Sequence, residues 1–260
     1  MNSSGRVSSR RRFLKLTGLS LLGLGASPVL TSVASVSQTR YGPDKDALKA
    51  RQWAMVVDMS KCKDGCTDCI TACHEGHNVP YIDEPRHEIK WIWHEEYENT
   101  FPSQHYDHLP QELHEKPFMV LCNHCVNPPC VRVCPTQATF KREDGIVLMD
   151  FHRCIGCRFC MAACPYGARS FNWVDPRKHL SRINPIFPTR SKGVVEKCNF
   201  CAERLAKGLA PLCVNACKEK ALLFGDLDDI HSPVREALHS HHVIRRKPGL
   251  GTGPNIFYIV

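Results

Sequence analysis

The chain's sixteen cysteines fall into four quartets with none left over, and no other feature limits its possible folds so tightly. The quartets are Cys62/Cys66/Cys69/Cys73, Cys122/Cys125/Cys130/Cys134, Cys154/Cys157/Cys160/Cys164 and Cys198/Cys201/Cys213/Cys217. Each closes on the same step, a third cysteine and then a fourth four residues on, although the earlier intervals differ. That is an internal repeat of a ligand pattern. The third quartet is the most specific, because residues 154–165 read CIGCRFCMAACP, the run that holds a 4Fe–4S cluster. With Cys154, Cys157 and Cys160 at steps of three, one loop can curl around a single cluster, and Gly156 lets the backbone come close to its sulfides. Cys164 then starts a helical turn and points away, toward a neighbouring cluster. Four quartets imply four clusters.

Two blander accounts compete. Structural zinc uses four thiolates as well, but its motifs are pairs of CxxC and not this full run. A disulfide scaffold suits an even cysteine count in an exported chain. Cysteines only two residues apart, however, rarely bridge without strain outside redox motifs. The spacing favours metal.

The net charge of +8 suggests a nucleic-acid partner, but much of it is local. Arg6, Arg10, Arg11, Arg12 and Lys15 lie in a leader with no acid before residue 35, and without them the excess falls to +3. No basic run interleaved with aromatics is present, so nucleic-acid binding is not expected. The leader itself carries a signal. Residues 9–15 read SRRRFLK, with Arg10 and Arg11 as a twin-arginine pair, and a mildly apolar stretch follows to residue 30. That stretch is too short for a spanning helix and is interrupted by Pro28. A twin-arginine route exports folded proteins, so clusters built in a reducing cytoplasm can reach the periplasm already inserted. Cleavage is expected after Ala34, and residues 35–52 read as a linker with helical character over 45–51.

From residue 53 the chain repeats one unit, an apolar strand, a cysteine loop and a short helix. Residues 53–58 (WAMVVD) predict a buried strand leading into the first quartet, and residues 120–121, 146–150 and 194–196 precede the other three. Residues 168–174 and 221–224 read as return strands. The first quartet carries one extra residue between Cys62 and Cys66. His74 follows Cys73, but the spacing is not that of haem attachment, so it reads as a helix-end residue near a cluster. Residues 77–117 form an insertion too long for a plain loop, rich in aromatics, with a strand or hairpin over residues 88–94. It reads as a layer covering the first cluster pair or as a docking surface. His105 and His108 within it read as surface histidines. Residues 175–193 are a basic, proline-punctuated insertion that reads as a solvated loop or, lying between two cluster motifs, as an interface. Residues 232–242 predict an amphipathic helix started by Ser232 with Pro233 in its first turn. Gly249, Gly251 and Gly253 lack the strand–loop–helix context of a phosphate loop.

With these motifs assembled, the chain resembles the four-cluster, ferredoxin-like electron-transfer subunits of polysulfide, dimethyl-sulfoxide, tetrathionate and nitrite reductase systems. The resemblance covers residues 53–260. It rests on Cys122-Asn123-His124-Cys125 with Asn127-Pro128-Pro129-Cys130, on the run from Cys154 to Arg169, and on Lys197-Cys198-Asn199-Phe200-Cys201 with Cys213 and Cys217. The export signal, the lengthened first quartet and His77-Asn78-Val79-Pro80 look most like one branch, the periplasmic iron–sulfur subunits of membrane complexes associated with sulfite reduction.

The resemblance implies an α+β fold of two interlocked bacterial-ferredoxin-like modules, an outer one over residues 53–76 and 194–260 and an inner one over 118–174. It also implies crossed ligation of four 4Fe–4S clusters. The first is held by Cys62, Cys66, Cys69 and Cys217, and the second by Cys122, Cys125, Cys130 and Cys164. Cys154, Cys157, Cys160 and Cys134 hold the third, and Cys198, Cys201, Cys213 and Cys73 the fourth. The sequence hints at the same pairing, because Cys134 and Cys164 are followed by proline while Cys73 and Cys217 are not. The implied partners are an integral membrane, quinone-interacting subunit and a multihaem cytochrome c. Such a subunit relays single electrons and has neither a catalytic site nor a small-molecule substrate of its own. The alternatives are the electron-transfer subunit of a periplasmic molybdenum reductase and, in another class, a structural zinc-binding interaction protein.

Overall fold

Trp53–Asp58 forms strand β1 over the residues that the apolar run predicts, and all six positions are buried. Its two faces serve different cores. Trp53, Met55 and Val57 point into the main core, whereas Ala54 and Val56 meet Val234 and Ala237 of an amphipathic helix. A strand covered on both faces reads as a continuous apolar run, which is why the sequence shows no alternation here. In this computed structural model the described residues are 43–104, 108 and 110–260. The twin-arginine pair Arg10 and Arg11, the cleavage site after Ala34, His105 and Tyr106 lie outside them. Residues 43–260 gather into one unit.

β1 sits inside a four-stranded sheet of order β8-β1-β10-β9. It pairs antiparallel with β8 (Leu222–Asp226) and parallel with β10 (Ile256–Ile259), and β10 pairs antiparallel with β9 (Val243–Ile244). Three two-stranded sheets complete the β structure among the described residues. They are β2 (Ile92–Glu95) with β3 (Phe118–Leu121), β4 (Thr139–Lys141) with β5 (Val147–Met149), and β6 (Ser170–Phe171) with β7 (Val195–Glu196). β1, β3, β5 and β7 thus each lead into one quartet, as expected. β6 falls inside the first expected return segment, and β8 starts inside the second and runs two residues past it, to Asp226. β4 is a surprise, a three-residue strand too short to show a period and fixed by its hairpin with β5.

The helices are α1 (Asp68–Gly76), α2 (Tyr97–Thr100), α3 (Gln111–Glu115), α4 (Pro129–Arg132), α5 (Phe159–Ala162), α6 (Ala202–Leu205), α7 (Leu212–Ala216) and α8 (Pro233–Ser240). The third cysteine of every quartet lies on one of them: Cys69 on α1, Cys130 on α4, Cys160 on α5 and Cys213 on α7. α8 starts as read from the sequence, with the Ser232 Oγ accepting from the Arg235 N–H at 3.3 Å. It ends at Ser240, two residues short of the expected end.

Three expectations need correction. Residues 45–51 are not helical, because this backbone is satisfied from elsewhere: Asp44 and Leu48 N–H donate to the carbonyls of Ala206 and Leu205 at 3.0 and 2.9 Å. The strand expected over 88–94 begins only at Ile92, where it finds β3 as partner. The basic insertion is not simply solvated. Arg190 within it is fully buried and ion-paired to Glu196 at 2.6 Å. Trp91, Trp93, Tyr97 and Phe101 of the longer insertion are also buried, and Phe101 packs edge-on against Phe118 and Tyr258.

Candidate metal centres

None of the sixteen cysteines is in a disulfide, and each is buried or half-buried. The structure brings twelve of them into three groups. Cys62, Cys66, Cys69 and Cys217 line a pocket of about 200 Å³ whose inner wall is Met119, Ala221 and Leu222. Cys122, Cys125, Cys130 and Cys164 line a narrower pocket with Asn123, Tyr166 and Arg169. Cys73 is fully buried, and after burial the largest upward push on its thiol comes from Cys198, Cys213 and Cys201. In each group the odd member comes from another quartet. Of the remaining four, Cys160 lies beside Cys130 and Cys154 in a small apolar cluster. The placement of Cys134 and Cys157 alongside them comes from the sequence pattern alone.

Local turns aim the fourth cysteines. Cys134, Cys164 and Cys217 are each followed, three residues on, by a left-handed residue: Gln137, Gly167 and Lys220. That conformation turns successive backbone N–H groups back toward the sulfur. Burial raises the Cys134 thiol, but N–H groups of Thr139, Thr136 and Ala138 with the Thr136 hydroxyl hold it below its usual range. Tyr166 and Ala168 donate to Cys164 in the same way, and Ala221 donates to the Cys217 Sγ at 3.3 Å. Cys73 has no such turn, because α1 runs on through Gly76. Gly156 does adopt a left-handed φ of 70°, but what a side chain there would strike is the Gly193 carbonyl. The approach it permits is that of the basic insertion.

The donor set fits an iron–sulfur cluster better than a single ion. Burial, then like-charged neighbours, pushes Cys69 up to about 12. Cys125 rises to the same value for the same reasons. Thiols so placed ionise only around a cationic centre. A tetrahedral zinc with Zn–S of about 2.3 Å keeps its sulfurs roughly 3.8 Å apart. Among the described residues, the one group of three or more His, Cys, Asp or Glu ligand atoms within 4.8 Å is His77, Cys201 and Glu203. No cysteine quartet is drawn in that tightly, as a single zinc ion would require. The His77 group is explained without metal, since Nε2 meets Glu203 Oε1 at 2.9 Å and Nδ1 meets the Cys73 carbonyl at 2.9 Å. Asn123 adds an independent sign, because both of its amide atoms are buried without a protein partner in the pocket of Cys122 and Cys125. Cluster sulfides accept such N–H groups.

Several non-cysteine residues of the site have roles that the sequence does not disclose, although they lie within or beside the motifs. His124 is fully buried, stacks on Phe200 with centroids 3.8 Å apart, and accepts the Val147 N–H on Nδ1 at 3.1 Å. Burial, then Lys197 and Arg169, holds it well below the usual histidine range, so it is neutral. Arg169 and Lys197 are themselves buried. Their only sequence signal is adjacency to a cysteine motif.

Comparison with known proteins agrees with this geometry. Residues 116–179 and 183–227 match the 4Fe–4S dicluster domain family. The chain is 39% identical to the Hdr-like menaquinol oxidoreductase iron–sulfur subunit 1 of Archaeoglobus fulgidus, over 97% of this chain and 98% of that protein. It is 38% identical to the arsenate respiratory reductase iron–sulfur subunit of Shewanella sp., over 79% of this chain and 94% of that one. Identity to the B component of polysulfide reductase from Wolinella succinogenes is 34%, over 81% and 95%. The protein belongs to this family of 4Fe–4S iron–sulfur subunits.

Proposed function

We propose that the chain is a periplasmic electron-transfer subunit carrying four 4Fe–4S clusters in crossed ligation. It relays single electrons between a quinone-linked integral membrane partner and another redox subunit, a multihaem cytochrome c. The complex is one of respiratory sulfur metabolism, of the sulfite-reduction-associated (DsrO) branch. A cluster supplies one-electron redox chemistry when bound, and the chain supplies thiolates, excludes water and sets the local field.

The observation that carries the reading is the order of the thiols. Cys69 of the first group acts on Cys73 and Cys213 of the next. Cys122 acts on Cys198, which links that group to the pocket of Cys122 and Cys125. Cys130 acts on Cys160 and so reaches the last set. These neighbour relations support a single-file order of the groups, the arrangement of a conductor. Relatives named for menaquinol and polysulfide chemistry support the quinone-linked partner. The twin-arginine motif supports export. The test is purification of the intact complex from native membranes. The clusters should exchange electrons with the menaquinol/menaquinone couple, and a polytopic membrane protein and a c-type cytochrome should travel with this chain. Co-purification with a molybdenum protein in place of the cytochrome would select the alternative reading.

A further inference from the structure

Among the described residues, four arginine and lysine side chains are almost wholly buried: Arg169, Arg190, Lys197 and Arg246. Arg190 has its counter-ion in Glu196. Arg246 lies over the Tyr166 ring, 5.6 Å from its centroid, and its Nε reaches the Thr100 carbonyl. Arg169, 4% exposed, and Lys197, 1% exposed, pair with no carboxylate among the described residues. What they touch is sulfur and the backbone beside it. The Arg169 Nη2 donates to the Cys130 Sγ at 3.0 Å and to the Thr139 Oγ1 at 2.7 Å. The Arg169 charge also acts on the Cys160 thiol, which lies beside Cys130. The Lys197 Nζ donates to the carbonyls of Val147 and Cys198, the latter at 2.6 Å. Its charge acts on Cys198, whose foremost thiol neighbour is Cys122.

A buried charge without an opposite partner costs several kcal/mol, so an anion belongs beside each of these cations. In both places the candidates are thiolate-held centres, and in both places there are two. Arg169 stands between the sets of Cys130 and Cys160. Lys197 stands between the sets of Cys198 and Cys122. The outermost pocket differs: Lys63 and Lys218 on its rim are exposed and paired with Glu219 and Asp68. Those charges are screened, whereas the buried ones are not.

We infer that Arg169 and Lys197 are positioning residues at the two inner junctions of the relay, each shared by two centres, and that they raise the reduction potentials of the centres they touch. The inference rests on the crossed-ligation reading above. Reduction adds one negative charge to a centre, and a fixed buried cation favours that form. An N–H···S bond acts in the same direction by drawing electron density from the ligand. Sharing the cation between neighbours keeps both centres reducible and eases transfer between them.

The test is an EPR-monitored dithionite titration of the cluster-loaded protein. In Arg169→Gln, two midpoint potentials should move negative, those of the centres altered by Cys130→Ser and Cys160→Ser. In Lys197→Gln the pair should be those altered by Cys122→Ser and Cys198→Ser. The centre altered by Cys62→Ser should stay put in both, and Arg169→Lys should restore much of the wild-type pattern. If Arg169→Gln fails to load clusters, Thr139→Val decides, since it frees one anchor of the guanidinium and should shift the same two centres by less. Unmoved potentials in loaded Gln variants, or in Thr139→Val, would overturn the inference, as would an equal shift of all centres. Should Cys130→Ser and Cys160→Ser alter one and the same centre, the ligation scheme fails instead. The response of that centre to Arg169→Gln then still decides the role of the arginine.

Discussion

Arg190 and Glu196 show how a buried pair can anchor an insertion to the frame. The guanidinium meets Glu196 Oε2 and the carbonyls of His77, Asn78 and Pro188. The carboxylate also accepts from Trp91 Nε1 at 2.8 Å and Asn172 Nδ2 at 2.5 Å. Removing one partner strands a buried charge, so Arg190→Met should cost about 3–5 kcal/mol. Arg190→Met/Glu196→Leu should cost less than the two single changes together, as read from apparent melting temperatures of the loaded protein. Asp226 offers a pH test. Burial raises its carboxyl, but N–H groups of Arg51, Asp228 and Gln52 outweigh this and hold it below the usual range. A depressed native value gives stability that is complete above the unfolded carboxyl range and is lost as pH falls through the native value. Asp226→Asn should therefore lower the melting temperature at pH 7, a loss of about 1 kcal/mol, and the gap to wild type should close as the pH drops below 4. Residues of this kind divide sharply in legibility. The sixteen cysteines announce themselves by spacing, whereas Arg190 sits in a basic run that reads as solvated, and only the fold reveals its carboxylate.

At the scale of elements, the recurrent device is the turn after a fourth cysteine. Gln137 and Lys220 hold left-handed φ values of 52° and 51° where Gly167 holds 65°. Left-handed backbone costs a side chain about 1–2 kcal/mol. Gln137→Gly and Lys220→Gly should thus be tolerated and raise the melting temperature slightly, while Gly167→Ala should lower it. Ser232→Ala should cost about 1 kcal/mol by removing the N-cap of α8, and it also breaks the bond that the Ser232 hydroxyl donates to the Asp226 carbonyl at 2.5 Å. The sequence marked these elements unevenly. β1 and α8 were legible because six apolar residues and a Ser-Pro start are local signals. β4 and the non-helical segment at 45–51 were not, since their backbone partners lie in other segments.

For the whole molecule, the parallel pairing of β1 with β10 joins the start of the described fold to its end. The antiparallel pairing of β1 with β8, with Val57 opposite Leu222, brings the first quartet beside Cys217, which sequence distance alone conceals. The described residues include no helix long and apolar enough to cross a membrane. If the proposed twin-arginine export holds, Arg10→Lys/Arg11→Lys should leave metallated protein in the cytoplasm. Periplasmic delivery of that double variant would show that another signal carries it out.

The central claim is that the quartets interlock, and Cys164→Ser tests it most directly. EPR-monitored redox titrations of this variant should be set beside those of Cys122→Ser and Cys154→Ser. A hydroxyl in place of one thiolate shifts the potential of the centre it serves or releases an iron from it. The account predicts that Cys164→Ser alters the same centre as Cys122→Ser and spares the one altered by Cys154→Ser. If Cys164→Ser and Cys154→Ser damage the same centre, each quartet closes on its own cluster and the interlocked relay is wrong.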